Sequence, residues 1–340
     1  MLILTKIINT NNLFMKKTLL LLMLSTFTSF FNAANAQISV GRSMTGRLEE
    51  FRKGQIDVIK SKTSIFINDG FNTDELEAVL KQVWTINPYK VITTEEFNKN
   101  EKLYLIVDNA IGKMSKTTGM KPNGNGVGST TGSTYVYFKY FYPTSIKEKE
   151  GTLSYATNNV AAVFMSCTPK SMNKIYENKS FEYLQEDIYN YKLGYFKNYL
   201  QYINNLLLNN GSSWAYDSGY DEEKLKELET KTLYVPKYLN TKSLIGNEYN
   251  TLGNPEKLLK KYPYKYEWIS DEELNKKILE GGNEEFYYLL YTKVNSQKMV
   301  TVTNGMNGDV IYKNYTTMTY ELKPKDLGEL ADAIKKSLKK

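Results

Sequence analysis

Two hydrophobic periods alternate along this chain, and the points where one gives way to the other mark its elements. KTSIFIND (62–69) is dense in β-branched and aromatic residues and ends on an Asp69-Gly70 turn, which reads as a strand. In NTDELEAVLKQVW (72–84), Leu76, Val79, Leu80 and Val83 fall at helical spacing, with Asn72 as N-cap and Glu75 three positions on. Pro88 closes that helix and YKVIT follows as a second strand. KLYLIVDN (102–109) carries a nearly unbroken apolar run, so a third strand is expected, buried on both faces and carrying Asp108 at its end.

Residues 113–133 are polar, glycine-rich and aperiodic, which predicts a long loop before the strand TYVYFKYFY (134–142) and an extended segment at 153–166. FEYLQEDIYNYKLGYFKNYLQYINNLLLNN (181–210) predicts the longest helix. Tyr189, Leu193, Phe196, Leu200, Ile203 and Leu207 form one stripe, and Leu184, Ile188, Tyr191 and Tyr195 form its neighbour. Together they make an apolar face wide enough to lie on a sheet. GSSWAYDSGYDEEK (211–224) reads as a loop presenting aromatic residues.

The order then begins again. KTLYVPKYL (231–239) starts like KTSIFIND, and NPEKLLKK (254–261) is a helix with Asn254 as N-cap and Pro255 at its first position. YKYEWIS and EEFYYLLYTKV (284–294) are strands, KMVTVTNGMNGDVIYKNYTTMTYEL (298–322) is a hairpin with Asn-Gly turns, and PKDLGELADAIKKSLKK is a closing helix with lysines at its end. PYKVITTEEFNK (88–99) and PYKYEWISDEELNK (263–276) nearly coincide once Tyr266-Glu267 are set aside as an insertion, which pairs Tyr89 with Tyr264 and Glu96 with Glu273. The reading is an internal duplication: an α+β chain of two strand-helix-strand-strand units with mixed sheets, plus one long amphipathic helix. The units are expected at 37–210 and 231–340, with 211–230 as linker. Thr93/Glu96 and Ser270/Glu273 fit S/T-x-x-E capping boxes, so the repeated glutamates read as scaffold and not as an acid–base pair.

The first 36 residues hold no acid. Met15-Lys16-Lys17, an apolar run and Ala34-Asn35-Ala36 have the order of a secretory signal peptide starting at Met15, with cleavage before Gln37. The apolar run is too short for a membrane span. No membrane span is expected in the mature chain, although a retained amino-terminal anchor is an alternative. The localisation expected is periplasmic or extracellular.

Composition narrows the chemistry. The chain has 28 tyrosines, one cysteine and no histidine, which excludes a Ser-His-Asp triad, a Cys-His pair and a histidine-ligated zinc site. Three of its 44 basic residues lie in the leader, leaving 41 against 37 acids, a weak excess that does not point to nucleic acid. No cofactor or metal site is read. Candidate ligand-binding residues are Trp214, Tyr216 and Tyr220, crowded by Asp217 and Asp221, together with Asp108. Gly124, Gly126 and Gly128 lack the spacing and the flanking strand and helix of a phosphate loop.

The stretch KTSIFINDGFNTDELEAVLKQVWTINPYKVITTEEF resembles, in its strand-helix-strand-helix order, the α/β modules of cell-envelope accessory proteins. These are the amino-terminal domain of the Tol-system propeller protein and the curli-secretion lipoproteins, although the lipidated cysteine of the latter is missing. The resemblance implies an envelope setting and carries no site residue. The leading expectation is an exported non-catalytic protein binding another envelope protein or an envelope polymer. A glycan- or small-ligand-binding groove between the units and a carboxylate-dependent hydrolase are the alternatives.

Overall fold

The computed structural model describes residues 37–339 apart from 45, 122–130, 151, 168–187, 244–248, 252–255, 295–296 and 320. The first sheet is built from β1 (Ile38–Val40), β2 (Thr63–Asn68), β3 (Tyr89–Thr93), β4 (Asn109–Lys121), β5 (Thr131–Lys149) and β6 (Thr152–Phe164), in the order β1-β6-β5-β4-β2-β3. The second is built from β7 (Gly219–Tyr220), β8 (Leu233–Pro236), β11 (Tyr266–Ile269), β12 (Tyr287–Val294), β13 (Gln297–Asn304) and β14 (Val310–Thr317), in the order β11-β8-β12-β13-β14-β7. Short strands β9 (Thr241–Ser243) and β10 (Tyr249–Thr251) pair with each other.

Read from the opposite edge, the two six-stranded orders are the same. In each, the first long strand lies parallel to its two neighbours, a three-strand antiparallel meander follows, and a short edge strand pairs with the last member. The bulges repeat as well. The register slips between Tyr140 and Phe141 in β5, leaving Val160 extra, and between Val302 and Thr303 in β13, leaving Ile311 extra. Val160 O accepts from Gly41 N and Ile311 O from Asp221 N, both at 2.9 Å. A shared bulge with a shared edge bond is a feature that two unrelated sheets would not reproduce by chance. The duplication is a property of the fold.

Register also corrects the alignment. Ser64 sits opposite Tyr89 and its N–H donates to Pro88 O at 2.8 Å, whereas Leu233 sits opposite Tyr266 and donates to Lys265 O at 3.0 Å. Tyr89 therefore corresponds to Tyr266 and not to Tyr264, and no insertion is needed between the repeated words. The N-caps Thr93 and Ser270 fall at the same place.

The helices are α1 (Gln55–Lys60), α2 (Thr73–Val83), α3 (Thr94–Lys99), α4 (Glu101–Ile106), α5 (Leu193–Leu208), α6 (Glu222–Leu225), α7 (Glu256–Leu259), α8 (Asp271–Glu280) and α9 (Pro324–Ser337). No helix among the described residues is long and apolar enough to cross a membrane. Helices α2 and α5 cover one face of the first sheet, where Phe66, Phe138 and Tyr140 meet Leu76, Leu80, Phe196 and Leu200. Helices α6, α7 and α9 cover the equivalent face of the second, over Leu233, Val235, Leu289 and Val302.

Helix α5 is buried on more than one side because it also lies against the far face of the second sheet. The rings of Tyr195 and Tyr288 are 5.7 Å apart, and Tyr288 Oη donates to Asn198 Oδ1 at 3.0 Å. That explains why Leu193 through Leu200 are all buried, which one amphipathic stripe would not require.

Four further expectations are revised. Of the helix expected over 181–210, residues 181–187 lie outside the described residues, and among the described ones it starts at Leu193. Ile188 bridges to Cys167, and Asn190 accepts from Ser166 N at 2.7 Å and donates to Phe164 O at 3.0 Å, so residues 188–190 extend the β6 edge. The run 102–109 is not one strand: 102–106 belong to helix α4, Val107 and Asp108 turn, and Asn109 opens β4; Tyr104 and Leu105 face inward while Leu103, Ile106 and Val107 are exposed, so an apolar surface imitated a strand buried on both faces. Most of the loop expected at 113–133 is strand, in β4 to Lys121 and β5 from Thr131, with 122–130 outside the described residues. Residues 211–230, expected as a linker, carry β7, α6 and a 3₁₀ turn, and place Leu225 and Leu228 fully inside the second core.

Candidate functional site

The sequence-derived candidates do not converge. Trp214 is 9 % exposed, and its ring lies tilted against that of Tyr216, with centroids 5.1 Å apart. Tyr216 in turn lies 5.6 Å from Phe164 and 5.3 Å from Tyr315. These residues close the contact between the two sheets instead of presenting a binding surface, because a short bridge from Val40 to Ser213 draws the segment inward. Tyr220 is strand β7, paired with Tyr312 and packed on the second core. Asp108 is in the turn between α4 and β4, 78 % exposed, and forms an ion pair with the buried Lys62. It borders a shallow 290 Å³ depression with Ile106, Val107, Pro143 and Ile146.

The repeated glutamates are local. Ser270 Oγ accepts from Glu273 N at 3.2 Å, and Glu273 reaches back to Ser270 N at 3.0 Å, a complete capping box that holds the Glu273 carboxyl below its ordinary range. In the first copy only half the box forms. Thr93 Oγ1 accepts from Glu96 N at 3.0 Å, but the Glu96 carboxylate turns to Tyr104 Oη and Lys90 Nζ. The Tyr104 bond first, then Lys90, lowers its pKa. Neither glutamate faces a second carboxylate across a cleft.

Two constellations that sequence reasoning missed are cationic. The first is a cleft of about 380 Å³ lined by Arg42, Arg52, Lys53, Gln55, Tyr142 and Asn158. Arg42 is already engaged there, donating from Nε to Glu50 O at 2.8 Å and pairing with Glu49 at 3.2 Å. The second lies on the face of the first sheet turned away from α5. Lys113 of β4 and Lys139 of β5 are directly opposite each other in the ladder. Their ammonium groups lie over Phe97 and Phe141, 5.1 Å and 4.5 Å from the ring centroids, and Lys139 also donates to Thr157 Oγ1 at 3.1 Å.

Both lysines are half-buried, and no carboxylate of the described residues lies within ion-pair distance of either. Burial, then the neighbouring Lys113, pushes Lys139 down to about 8. Burial also lowers Lys113, partly offset by Glu101 and Asp69. Like charges placed opposite on adjacent strands repel, so the arrangement costs stability as it stands.

The second copy shows what this face looks like when it is covered. By register, Lys113 corresponds to Leu290 and Lys139 to Thr301. Leu290 is fully buried in the cluster that contains α5 and the α8 residues Leu274 and Ile278. In the first copy the short helices α3 and α4 cover only the end occupied by Phe97, Tyr104 and Leu105. The signal was present in the sequence only as two isolated lysines, one of them in the supposed loop; register was needed to bring them together.

No group of three or more potential metal ligands exists among the described residues. The fold and its surface define a class: an α+β protein of two duplicated mixed-sheet units, with a lysine-bearing sheet face that α3 and α4 cover only at one end. No family model, curated protein or solved structure matches the chain.

Proposed function

We propose that this protein is an exported, non-catalytic component of the cell envelope that binds another envelope protein or an envelope polymer. One observation carries the reading: the two copies have the same sheet, yet the face sealed by α5 and α8 in the second bears half-buried lysines in the first, beside a helix α4 with exposed apolar residues. Leu103, Ile106 and Val107 are 59 %, 58 % and 50 % exposed at the rim of that face. An apolar group left on a surface beside uncompensated charge marks a place of contact. Export is supported by the order of the leader and by the start of β1 at Ile38, one residue after the expected new terminus Gln37.

The test uses the full-length protein exported in its own host. A photo-crosslinking residue replaces Leu103 or Ile106, and in a parallel strain it replaces Lys265 on the second unit. Covalent adducts from the first two positions and none from the third are expected. Equal yields at all three, or none at the first two, overturn the reading.

A further inference from the structure

We propose that Lys113 and Lys139 together hold an oxyanion group, a carboxylate or sulfate, and that its carrier is an acidic glycan lying across the outer face of the first sheet. The inference rests on the binding function proposed above and names its ligand class.

The argument begins with the cost of the pair. Two ammonium groups at directly opposed ladder positions repel, and partial burial removes the water that would screen them. The surrounding groups offset only part of that charge. Glu101 and then Asp69 act on Lys113 without forming an ion pair, and Asp69 also accepts from Thr94 Oγ1 at 2.6 Å and from Met114 N at 3.2 Å. Lys90, on β3 and separated from β4 by β2, is paired with Glu96 at 2.9 Å. A bound oxyanion would accept from both ammonium groups at once and convert a repulsive contact into two charge-assisted hydrogen bonds. The second copy, which buries Leu290 and Thr301 at the same positions, shows that the sheet does not need lysines there to fold.

The neighbouring rings favour a glycan over other acidic polymers. Tyr155 is half-buried and stacks parallel on Phe141, with centroids 6.3 Å apart and an angle of 8° between planes. It places a flat aromatic surface beside Lys139, suited to the C–H face of a sugar ring. A poly-glutamate chain carries no ring to lay on such a plane. Along β5, Lys139 lies over Phe141 and Phe141 stacks on Tyr155, so a charged sugar held at Lys139 continues along the strand toward Tyr155.

The experiment measures binding of the mature protein to oligogalacturonate, chondroitin sulfate, neutral maltohexaose and poly-glutamate at low salt. The two acidic glycans are expected to bind and maltohexaose is not. Lys113→Met and Lys139→Met should each weaken binding by roughly tenfold or more, the loss of one charge-assisted bond. Exposed Lys102→Met should change it less than about twofold, as expected of a surface charge. Binding should also fall as the pH rises through about 8, where Lys139 loses its proton. Retention of full affinity by both lysine variants, or poly-glutamate binding as tightly as the glycans, overturns the inference. If the crosslinks above still map to this face in that case, the binding function survives without this ligand.

Discussion

Asn275 and Gly194 bring the two copies into contact: the Asn275 Oδ1 accepts from Gly194 N at 2.7 Å, at the start of α5. A Cβ at Gly194 would lie 2.8 Å from Asn275 O and 3.1 Å from Ile278 Cβ, so the helices approach as closely as they do only because the side chain is absent. Gly194→Ala is expected to destabilise by about 1–3 kcal/mol through overpacking. Asn275→Ala, which leaves the amide unpaired, should cost about 1–3 kcal/mol. Urea denaturation of both variants and the double mutant checks this, and the double mutant should fall short of the sum because the sites touch.

The capping residues should act on stability alone. Ser270→Ala is expected to cost about 0.5–2 kcal/mol, and Thr93→Ala a similar amount, because each hydroxyl satisfies a helix amide. Glu273→Gln should cost less, since glutamine can still reach the cap amide. Thermal melting beside the glycan-binding assay distinguishes this from a role in binding. A variant that melts like the parent and no longer binds would contradict it.

Asp271 makes stability depend on acid. Burial raises its carboxyl from 3.8 to about 6, against the Tyr195 hydroxyl that donates to it at 3.1 Å. The folded chain holds the proton more tightly than the unfolded one, so this contribution is fully present below about 4 and is lost as pH rises through about 6. Asp271→Asn should flatten the melting-temperature profile over that interval and melt higher than the parent at pH 7.

Lys139 has the opposite sense. Its folded pKa of about 8 lies below the ordinary 10.5, so the unfolded chain binds the proton more tightly and stability rises with pH between those values. Lys139→Met is therefore expected to melt higher than the parent at pH 7. The gain should shrink between pH 8 and 10.5, which a series of melts records.

The proposed export predicts a mature chain that begins at Gln37, and intact-mass analysis reads this directly. A species retaining residues 15–36 would show that the leader is kept.

Much of the fold was legible because its signals were local. The capping patterns at Asn72, Thr93 and Ser270, the Pro88 stop and the repeated Asn-Gly turns each act within a few residues. Helix α4 was misread because Leu103, Ile106 and Val107 are apolar yet exposed, so the run lost its helical contrast. The start of α5 was misplaced because Tyr189 and Tyr191 continue its spacing, while Asn190 is drawn to the β6 edge by bonds to Ser166 and Phe164. The lysine pair was invisible for a different reason. Its members are 26 positions apart, and only the ladder between β4 and β5 makes them neighbours.

Strand β1 has a consequence for timing. It pairs with β6 and is clasped by Ser213, whose Oγ donates to Ile38 O at 2.9 Å, while the Gln37 side chain donates to Tyr199 Oη at 2.9 Å. The partners of the first strand are therefore among the last residues of its unit to be synthesised. Such distant closure is slow, since the loop entropy is paid before any contact returns it. The first strand stays unpaired while most of the unit is being made. A chain arranged in this way remains threadable through a narrow channel for longer than one whose first strand finds its partner at once.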